Sequence, residues 1–282
     1  MSVEVVVLLC CDYHMHTFRC GDASGTYEEY VAKALEQGLK EIGFSGHSPQ
    51  YFLPKDMRRR ESAIPEEELE LYVREVETLR EKYEGSIVIR LGLEVDFVPG
   101  HDKELEKLVF SYPWDYLLLS VHYLNDWPFD HPKYIARYSE WDINELFATY
   151  YQVLRRGIET GFFDAVAHLD LPKKFGFRPT REIPELEEVL TSCVKYGVAV
   201  ELNTAGWRRP AQEAYPSLSI LQRARDFGLS VCVGSDAHRP EEVGRYFKEA
   251  EEFLRKAGFT SVIRFVQRKK IPVLLEGNPL CE

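Results

Sequence analysis

Two histidines separated by one residue, His14 and His16, are the first side chains of this chain that could hold a metal ion. They follow an apolar run at residues 5–11 that is typical of a buried strand. Side chains in a strand repeat every second residue, so both imidazoles are predicted to point to one face and to share an ion. For this pair alone, two hydrogen-bonded histidines beside a core are an equally good interpretation.

The same pattern, an apolar segment that ends at a histidine or a carboxylate, recurs along the chain. Alternating strands and helices form a parallel sheet, and the carboxyl ends of such strands meet at one edge. These polar side chains are therefore expected to converge. The residues at the predicted strand ends are His14, His16, His47, Glu94, His122, His168, Asp236 and His238.

About seven strand–helix repeats follow one another without a linker or a change of composition. The predicted strands cover residues 3–13, 41–45, 87–95, 114–121, 164–167, 198–202 and 229–233. This pattern predicts an α/β barrel that forms a single domain over residues 1–282. A doubly wound open sheet is the alternative fold, but it would gather its ligands at one switch point instead of at nearly every strand.

Composition limits the class of protein. Of the 282 residues, 45% are hydrophobic and 29% are charged, as in globular proteins with a substantial core. A formal net charge of -11 argues against bulk nucleic-acid binding. The N-terminal apolar run lacks the basic flank and cleavage site of a signal peptide, and no stretch is long enough to span a membrane. Six cysteines without CxxC spacing favour reduced thiols, so a cytoplasmic location is predicted.

Imidazoles and carboxylates without paired thiolates suit Zn, Mn or Fe. The candidate ligands exceed the capacity of one ion, so two or three ions with Glu94 bridging a pair would account for them. Multinuclear sites generate hydroxide at neutral pH and clamp the oxygens of a phosphoryl group. Basic side chains in loops at the same end would attract a phosphate dianion, although each one singly is also explained as a surface charge. They are Lys173, Lys174, Arg178, Arg208 and Arg209.

The ligand series resembles that of the polymerase-and-histidinol-phosphatase (PHP) superfamily, and longer stretches are similar to its histidinol-phosphate phosphatases over nearly the whole chain. The stretches are Gly92-Leu93-Glu94-Val95-Asp96-Phe97, Val121-His122-Tyr123-Leu124, His168-Leu169-Asp170-Leu171-Pro172-Lys173-Lys174-Phe175, Asn203-Thr204-Ala205-Gly206 and Gly234-Ser235-Asp236-Ala237-His238-Arg239-Pro240. The resemblance implies a distorted (β/α)7 TIM-like barrel with three divalent metal ions. It also implies hydrolysis of L-histidinol phosphate to L-histidinol and inorganic phosphate in histidine biosynthesis.

The family's metal ligands, carried over motif by motif, imply three groups, of which the first two share Glu94. The groups are His14, His16, Glu94 and Asp236; Glu94, His122 and His168; and Asp22, His47 and His238. Two residues of the third group's surroundings depart from the family. Asp22 stands where the family usually has a histidine, and Gly46 stands where it often has a carboxylate that would orient His47.

In the implied mechanism a hydroxide that bridges two ions attacks phosphorus, and Asp236 or His238 protonates the leaving alkoxide. Lys173 and Arg208, followed by Arg209, are predicted to hold the phosphate. The imidazole and ammonium of histidinol need an aromatic and acidic pocket, although plain loop packing is the alternative for each aromatic residue. The candidates are Tyr123, Trp127, His131, Trp207, Glu201 and Asp170.

Two other functions are compatible with the same ligands. A PHP-type phosphodiesterase or nuclease would need a longer basic groove, which the acidic composition disfavours. A non-catalytic, metal-stabilised module would be expected to lose ligands or basic loops, whereas this chain keeps a candidate at each position. The expected partner is a small phosphate monoester, without nucleic acid or membrane.

Overall fold

The computed structural model describes residues 9–275, so the start of the predicted first strand lies outside the described residues. The strands are β1 (Cys11–Asp12), β2 (Glu41–Phe44), β3 (Val88–Asp96), β4 (Tyr116–Ser120), β5 (Tyr123–Leu124), β6 (Trp127–Pro128), β7 (Ala165–Val166), β8 (Ala199–Asn203), β9 (Val231–Gly234), β10 (Ser261–Val266) and β11 (Lys269–Leu274). The α-helices are α1 (Tyr27–Glu36), α2 (Leu69–Lys82), α3 (Asp102–Val109), α4 (Ile143–Glu159), α5 (Glu185–Tyr196), α6 (Leu218–Asp226) and α7 (Phe247–Ala257).

The main sheet has seven parallel strands in the order β1-β2-β3-β4-β7-β8-β9. Its two outer strands meet, because the backbone N–H of Tyr13 donates to the carbonyl of Val233 at 3.0 Å. Just beyond these strands, Met15 forms a parallel bridge with Ala237. The sheet is therefore a nearly closed seven-stranded barrel. The predicted α/β barrel is confirmed, and the open doubly wound sheet is excluded.

The helices begin and end largely where local sequence signals place them. Thr26 and Glu29 form the predicted capping box of α1, and the Asp142 side chain accepts hydrogen bonds from two backbone N–H groups at the start of α4. Pro240 predicts the start of the last helix, and this prediction is wrong. A 3₁₀ turn occupies Pro240–Glu242, and α7 begins only at Phe247, because Tyr246 has a left-handed φ of 66° that interrupts the helix.

Two segments outside the seven predicted barrel strands have regular structure. The aromatic segment at residues 123–141 contains the antiparallel pair β5–β6 and a 3₁₀ helix at Pro132–Glu140. The C-terminal segment forms the hairpin β10–β11. Neither forms a strand of the main barrel, so the seven-repeat pattern does not reveal them.

The helices bury their apolar stripes against the outer face of the barrel. Tyr72 and Val76 of α2 and Leu146 and Leu154 of α4 are fully buried. Burial of such side chains is the dominant favourable contribution to folding. None of the helices in residues 9–275 is long and apolar enough to cross a membrane.

Aromatic side chains fill the barrel interior below the strand ends. The Tyr116 hydroxyl donates to the Tyr13 carbonyl at 2.7 Å, and Phe265 of β10 stacks on Tyr116 with ring centroids 5.1 Å apart. A Cβ at Gly92 would lie 2.3 Å from the Tyr116 ring, so this position of β3 requires glycine. Arg268 N–H donates to the carbonyl of the residue before β4, so the hairpin β10–β11 covers the amino-terminal end of the barrel.

We expect Phe265→Ala to destabilise the protein by about 3–5 kcal/mol, because it opens a cavity between two buried tyrosines. Urea unfolding followed by tryptophan fluorescence measures the change. Leu274→Ala on the same hairpin is the control, since Leu274 is 58% exposed and its truncation should change the unfolding free energy little. Equal losses for the two variants would contradict the interior role of Phe265.

Candidate metal centre

The carboxyl ends of the barrel strands bring all of the predicted metal ligands to one site. Glu94 lies within β3, and the histidines and Asp236 follow the ends of β1, β2, β4, β7 and β9. Asp22 comes from the loop after a 3₁₀ turn at Phe18–Cys20. The ligands converge because the carboxyl ends of all parallel strands lie at the same end of the barrel.

Glu94 is the centre of the cluster, and its two oxygens face different histidines. Its Oε2 lies 3.4 Å from His14 Nε2, and 2.8 Å from His47 Nδ1. Its Oε1 lies 2.8 Å from His168 Nε2, and 3.6 Å from His122 Nε2. This is the arrangement expected of a carboxylate shared between two groups of ligands.

The other carboxylates each join a pair of histidines. Asp236 Oδ1 lies 3.1 Å from His16 Nε2 and 3.7 Å from His14 Nε2. Asp22 Oδ2 lies 3.4 Å from His47 Nε2 and 3.6 Å from His238 Nε2. Donor atoms about 2.1 Å from a tetrahedral ion are about 3.4 Å apart, so these spacings suit coordination.

Unpaired buried atoms support the same conclusion. Within residues 9–275, His14 Nε2 and Glu94 Oε2 are buried without a hydrogen-bond partner. A buried polar atom left without a partner costs about 1–3 kcal/mol. An ion between them would supply the missing partner. Triads of donors within 4.8 Å of one another, such as His16, His47 and His238, also fit a divalent metal.

Electrostatics favour the metal-binding forms of His16 and Glu94. Burial, together with the neighbouring His238 and His47, lowers the pKa of His16 to about 3, so its imidazole is neutral at neutral pH. Burial opposes ionisation of Glu94, but His14 and His47 hold the pKa of that carboxyl well below its usual value. Neutral imidazoles and ionised carboxylates are the forms that metals require. Burial also opposes protonation of His14, His47 and His122, but nearby carboxylates raise the pKa of each, so an ion would displace the protons of these three imidazoles.

A second layer of carboxylates orients the ligands. Glu201 Oε1 lies 2.7 Å from His14 Nδ1, while its Oε2 accepts hydrogen bonds from the His168 N–H at 3.0 Å and from Asn203 Nδ2 at 3.1 Å. A Cβ at Gly234 would lie 2.2 Å from Glu201 Oε1, so glycine is needed beside it. The structure thus corrects the predicted role of Glu201, which is buried and holds ligands instead of facing a substrate ammonium.

Two ligands have backbone conformations that strand periodicity does not predict. His168 has φ 31° and Asp236 has φ 53°, both in the left-handed region that non-glycine residues rarely adopt. Such strain is concentrated at functional sites, where the surrounding structure holds it in place. In these conformations His168 Nε2 lies 2.8 Å from Glu94 Oε1, and Asp236 Oδ1 lies 3.1 Å from His16 Nε2.

A cavity of about 450 Å³ opens above the ligands. Of the residues predicted to bind substrate, Tyr123, His131 and Arg209 line it. Lys174, one of the basic residues expected to attract phosphate, lines it as well. The structure adds lining residues that had no assigned role in the sequence prediction, and they include Arg59, Asp130 and Tyr215.

Both residues chosen first for phosphate binding lie outside this cavity lining. The Lys173 ammonium is buried, pairs with Asp170 Oδ2 at 2.8 Å and with Glu213 Oε2 at 3.0 Å, and donates to the Ala214 carbonyl at 2.7 Å. Lys173 and Asp170 therefore neutralise each other, which corrects the predicted role of each.

Arg208 is held behind the site by backbone carbonyls. Its Nη2 donates to the carbonyls of Ser235 at 3.0 Å and Asp236 at 3.2 Å. These contacts support the loop that carries the Asp236 ligand, whereas Nη1 of the same guanidinium is buried and has no hydrogen-bond partner within residues 9–275. Arg209, its neighbour, lines the cavity instead.

Two predicted aromatic contacts are packing residues. Trp127 is fully buried, with its ring centroid 5.1 Å from that of Tyr138, so it cannot reach a substrate. Trp207 packs against Tyr246 and Phe253, with ring centroids 5.8 and 5.6 Å away. Both side chains lie outside the cavity lining. Their contacts agree with loop packing, the alternative given above for each aromatic residue.

Fold and site together define a barrel protein that binds divalent metal at the carboxyl ends of its strands. Residues 12–205 match the PHP domain family, and residues 219–267 match the model described as PHP-associated. The chain belongs to the PHP domain family.

Curated relatives and solved structures are similar over nearly the whole chain. A protein of Deinococcus radiodurans named probable histidinol-phosphatase is 40% identical, over 93% of this chain and 98% of the relative. The histidinol-phosphatase of Bacillus subtilis is 28% identical, over 87% and 98%. The crystal structure of histidinol phosphate phosphatase from Lactococcus lactis, complexed with zinc, L-histidinol and phosphate, has a TM-score of 0.78 at 22% identity, covering 93% of this chain and 98% of that one.

We expect Glu201→Gln to weaken zinc binding about 10- to 100-fold, since a glutamine amide places an N–H opposite groups that donate to Glu201. Competition with a chromogenic chelator measures the affinity. Glu187→Gln is the control, because that side chain is 61% exposed and lies on α5. An unchanged zinc affinity in Glu201→Gln would contradict the orienting role.

Proposed function

We propose that this chain is a metal-dependent histidinol-phosphatase that hydrolyses L-histidinol phosphate to L-histidinol and inorganic phosphate. The observation that carries the proposal is the buried Glu94, whose two oxygens face separate histidine groups at the floor of a cavity with cationic walls. The 40% identity to the Deinococcus relative supports the substrate. The Lactococcus protein of the same fold holds the corresponding products with zinc.

We assign the ligands to three divalent ions of Zn, Mn or Fe, in the groups that the resemblance implies. When bound, such ions supply a nucleophile at neutral pH and neutralise charge on the phosphoryl oxygens. The short distances from Glu94 to both neighbouring groups support its place as the shared ligand. The contacts of Asp22 with His47 and His238 support a third group despite the change from the usual histidine.

The cavity walls offer cations for the phosphate. Lys174 pairs with Asp130 at 2.9 Å, and Arg209 is exposed in the same lining. Arg59 comes from the irregular segment at residues 50–63 and donates to the Tyr134 hydroxyl at 2.9 Å. Lys174 and Arg209 replace Lys173 and Arg208 in our assignment, because charge-assisted contacts require a side chain that reaches the ligand.

The imidazole and ammonium groups of histidinol need cavity residues other than the cations that bind the phosphate. Tyr123 and His131 offer aromatic faces, and Asp96 and Asp130 offer carboxylates for the ammonium group. We keep Asp236 and His238 as candidates to protonate the leaving oxygen, with the condition that a group bound to metal cannot act as a free acid at the same time.

We further propose that residues 1–282 act as one phosphatase domain. The segment matched as PHP-associated contains β9, and the loop after β9 supplies Asp236 and His238 to the site built by the PHP segment. Cytoplasmic location and a role in histidine biosynthesis stay predictions.

Metal-loaded protein should release inorganic phosphate from L-histidinol phosphate, and a chelator should reduce that release at least about 100-fold, because the carboxylates and imidazoles alone supply no strong nucleophile. A coupled phosphate assay measures the release, before chelation and after readdition of Zn or Mn. Turnover of p-nitrophenyl phosphate and of a short DNA should be much slower. Release from DNA at a comparable rate would contradict the monoester assignment.

We expect Lys174→Met to raise the KM for L-histidinol phosphate about 10-fold, because it removes one cation from the cavity wall. Steady-state kinetics measure the change. Lys195→Met, an exposed lysine at the end of α5, is the control for charge alone. A KM that rises equally in both variants would indicate long-range attraction instead of contact.

A further inference from the structure

We propose that the Tyr215 hydroxyl donates a hydrogen bond to a phosphoryl oxygen of the bound substrate. The proposal rests on the function proposed above and adds a substrate contact at the same site. Tyr215 lies in the loop between β8 and α6, where no sequence pattern had suggested a role.

The first observation is an unpaired hydroxyl at the cavity wall. Tyr215 lines the cavity and is 1% exposed. Its hydroxyl is buried and has no hydrogen-bond partner within residues 9–275. Buried hydroxyl groups are normally paired, since an unpaired one carries a desolvation penalty. A ligand oxygen in the cavity would be the missing partner.

The second observation is that the ring is held in place from several sides. The backbone N–H of Tyr215 donates to the Asn203 carbonyl at 2.9 Å, and the Asn203 N–H donates to the Tyr215 carbonyl at 2.6 Å. The buried Lys173 ammonium lies 5.4 Å from the ring centroid and donates to the carbonyl of Ala214. A side chain fixed in this way can meet a ligand with little loss of conformational entropy.

The surroundings of the ring favour phosphate as the acceptor. The ring makes an edge contact with the imidazole of His168, at a centroid distance of 6.4 Å, so it borders the ligand group that includes Glu94. Arg209 lines the same cavity.

This placement also gives Lys173 a function. Its ammonium is too deeply paired to bind phosphate, but it braces the Tyr215 ring and the adjacent backbone. Lys173 is thus a positioning residue for the hydroxyl. The sequence prediction assigned Lys173 to the phosphate itself, whereas in this proposal it acts through Tyr215.

The test compares Tyr215→Phe with Tyr30→Phe. Both replacements remove a buried hydroxyl that lacks a partner in the described part of the chain, but Tyr30 lies outside the cavity lining. Binding of inorganic phosphate to the zinc-loaded protein is measured by calorimetry. Steady-state kinetics with L-histidinol phosphate, zinc content and urea unfolding are measured on the same samples.

We expect Tyr215→Phe to bind phosphate about 10- to 100-fold more weakly and to lose a similar factor in kcat/KM, as for removal of a hydrogen bond to a charged group. Zinc content and unfolding should match the wild-type protein, and Tyr30→Phe should change none of these values. Unchanged phosphate affinity in Tyr215→Phe overturns the proposal, as does a loss confined to the affinity for L-histidinol. Tyr215-dependent phosphate binding without turnover of L-histidinol phosphate would support this contact and refute the proposed function.

Discussion

The buried carboxylate of Glu94 is the constraint on which the site depends. At 1% exposure, an ionised carboxylate would be costly without compensating charge or coordination. The structure surrounds it with imidazoles on both oxygens, and Ser120 donates a hydrogen bond to Oε1 at 2.5 Å. Because those imidazoles come from different strand ends, the charge is compensated only when the strands have assembled into the sheet. A metal ion held by these ligands would therefore couple its binding to folding.

The interior of the closed barrel is divided into two regions with different roles. The amino-terminal region is packed with Tyr13, Tyr116 and Phe265 and is covered by the hairpin β10–β11. The carboxyl-terminal region contains the polar ligands and the cavity. Packing at one end stabilises the fold without using the positions that the other end needs for chemistry, as is usual in β/α barrels.

In each of the basic pairs Lys173/Lys174 and Arg208/Arg209, one side chain lines the cavity and the other is held away from it. Local backbone geometry explains the difference. Lys173 and Lys174 belong to a 3₁₀ helix at Leu171–Phe175, and Arg208 ends another at Thr204–Arg208. Successive side chains in a 3₁₀ helix are rotated by about 120°, so Lys174 can face the cavity while Lys173 faces two carboxylates. Arg209 follows the second of these helices in an extended conformation, which separates its direction from that of Arg208. The position of these turns against Glu213 and Asp236 decides which residue of each pair lines the cavity.

The sequence by itself determined the number of β/α repeats and the strand ends that carry candidate ligands, because strand periodicity and the parallel barrel bring such residues to one edge. It also determined the capping of α1 through Thr26 and Glu29. Tertiary structure decided the cavity wall, the roles of Glu201 and Lys173, and the unpaired hydroxyl of Tyr215. These depend on contacts between loops far apart in the chain, for which local periodicity contains no information.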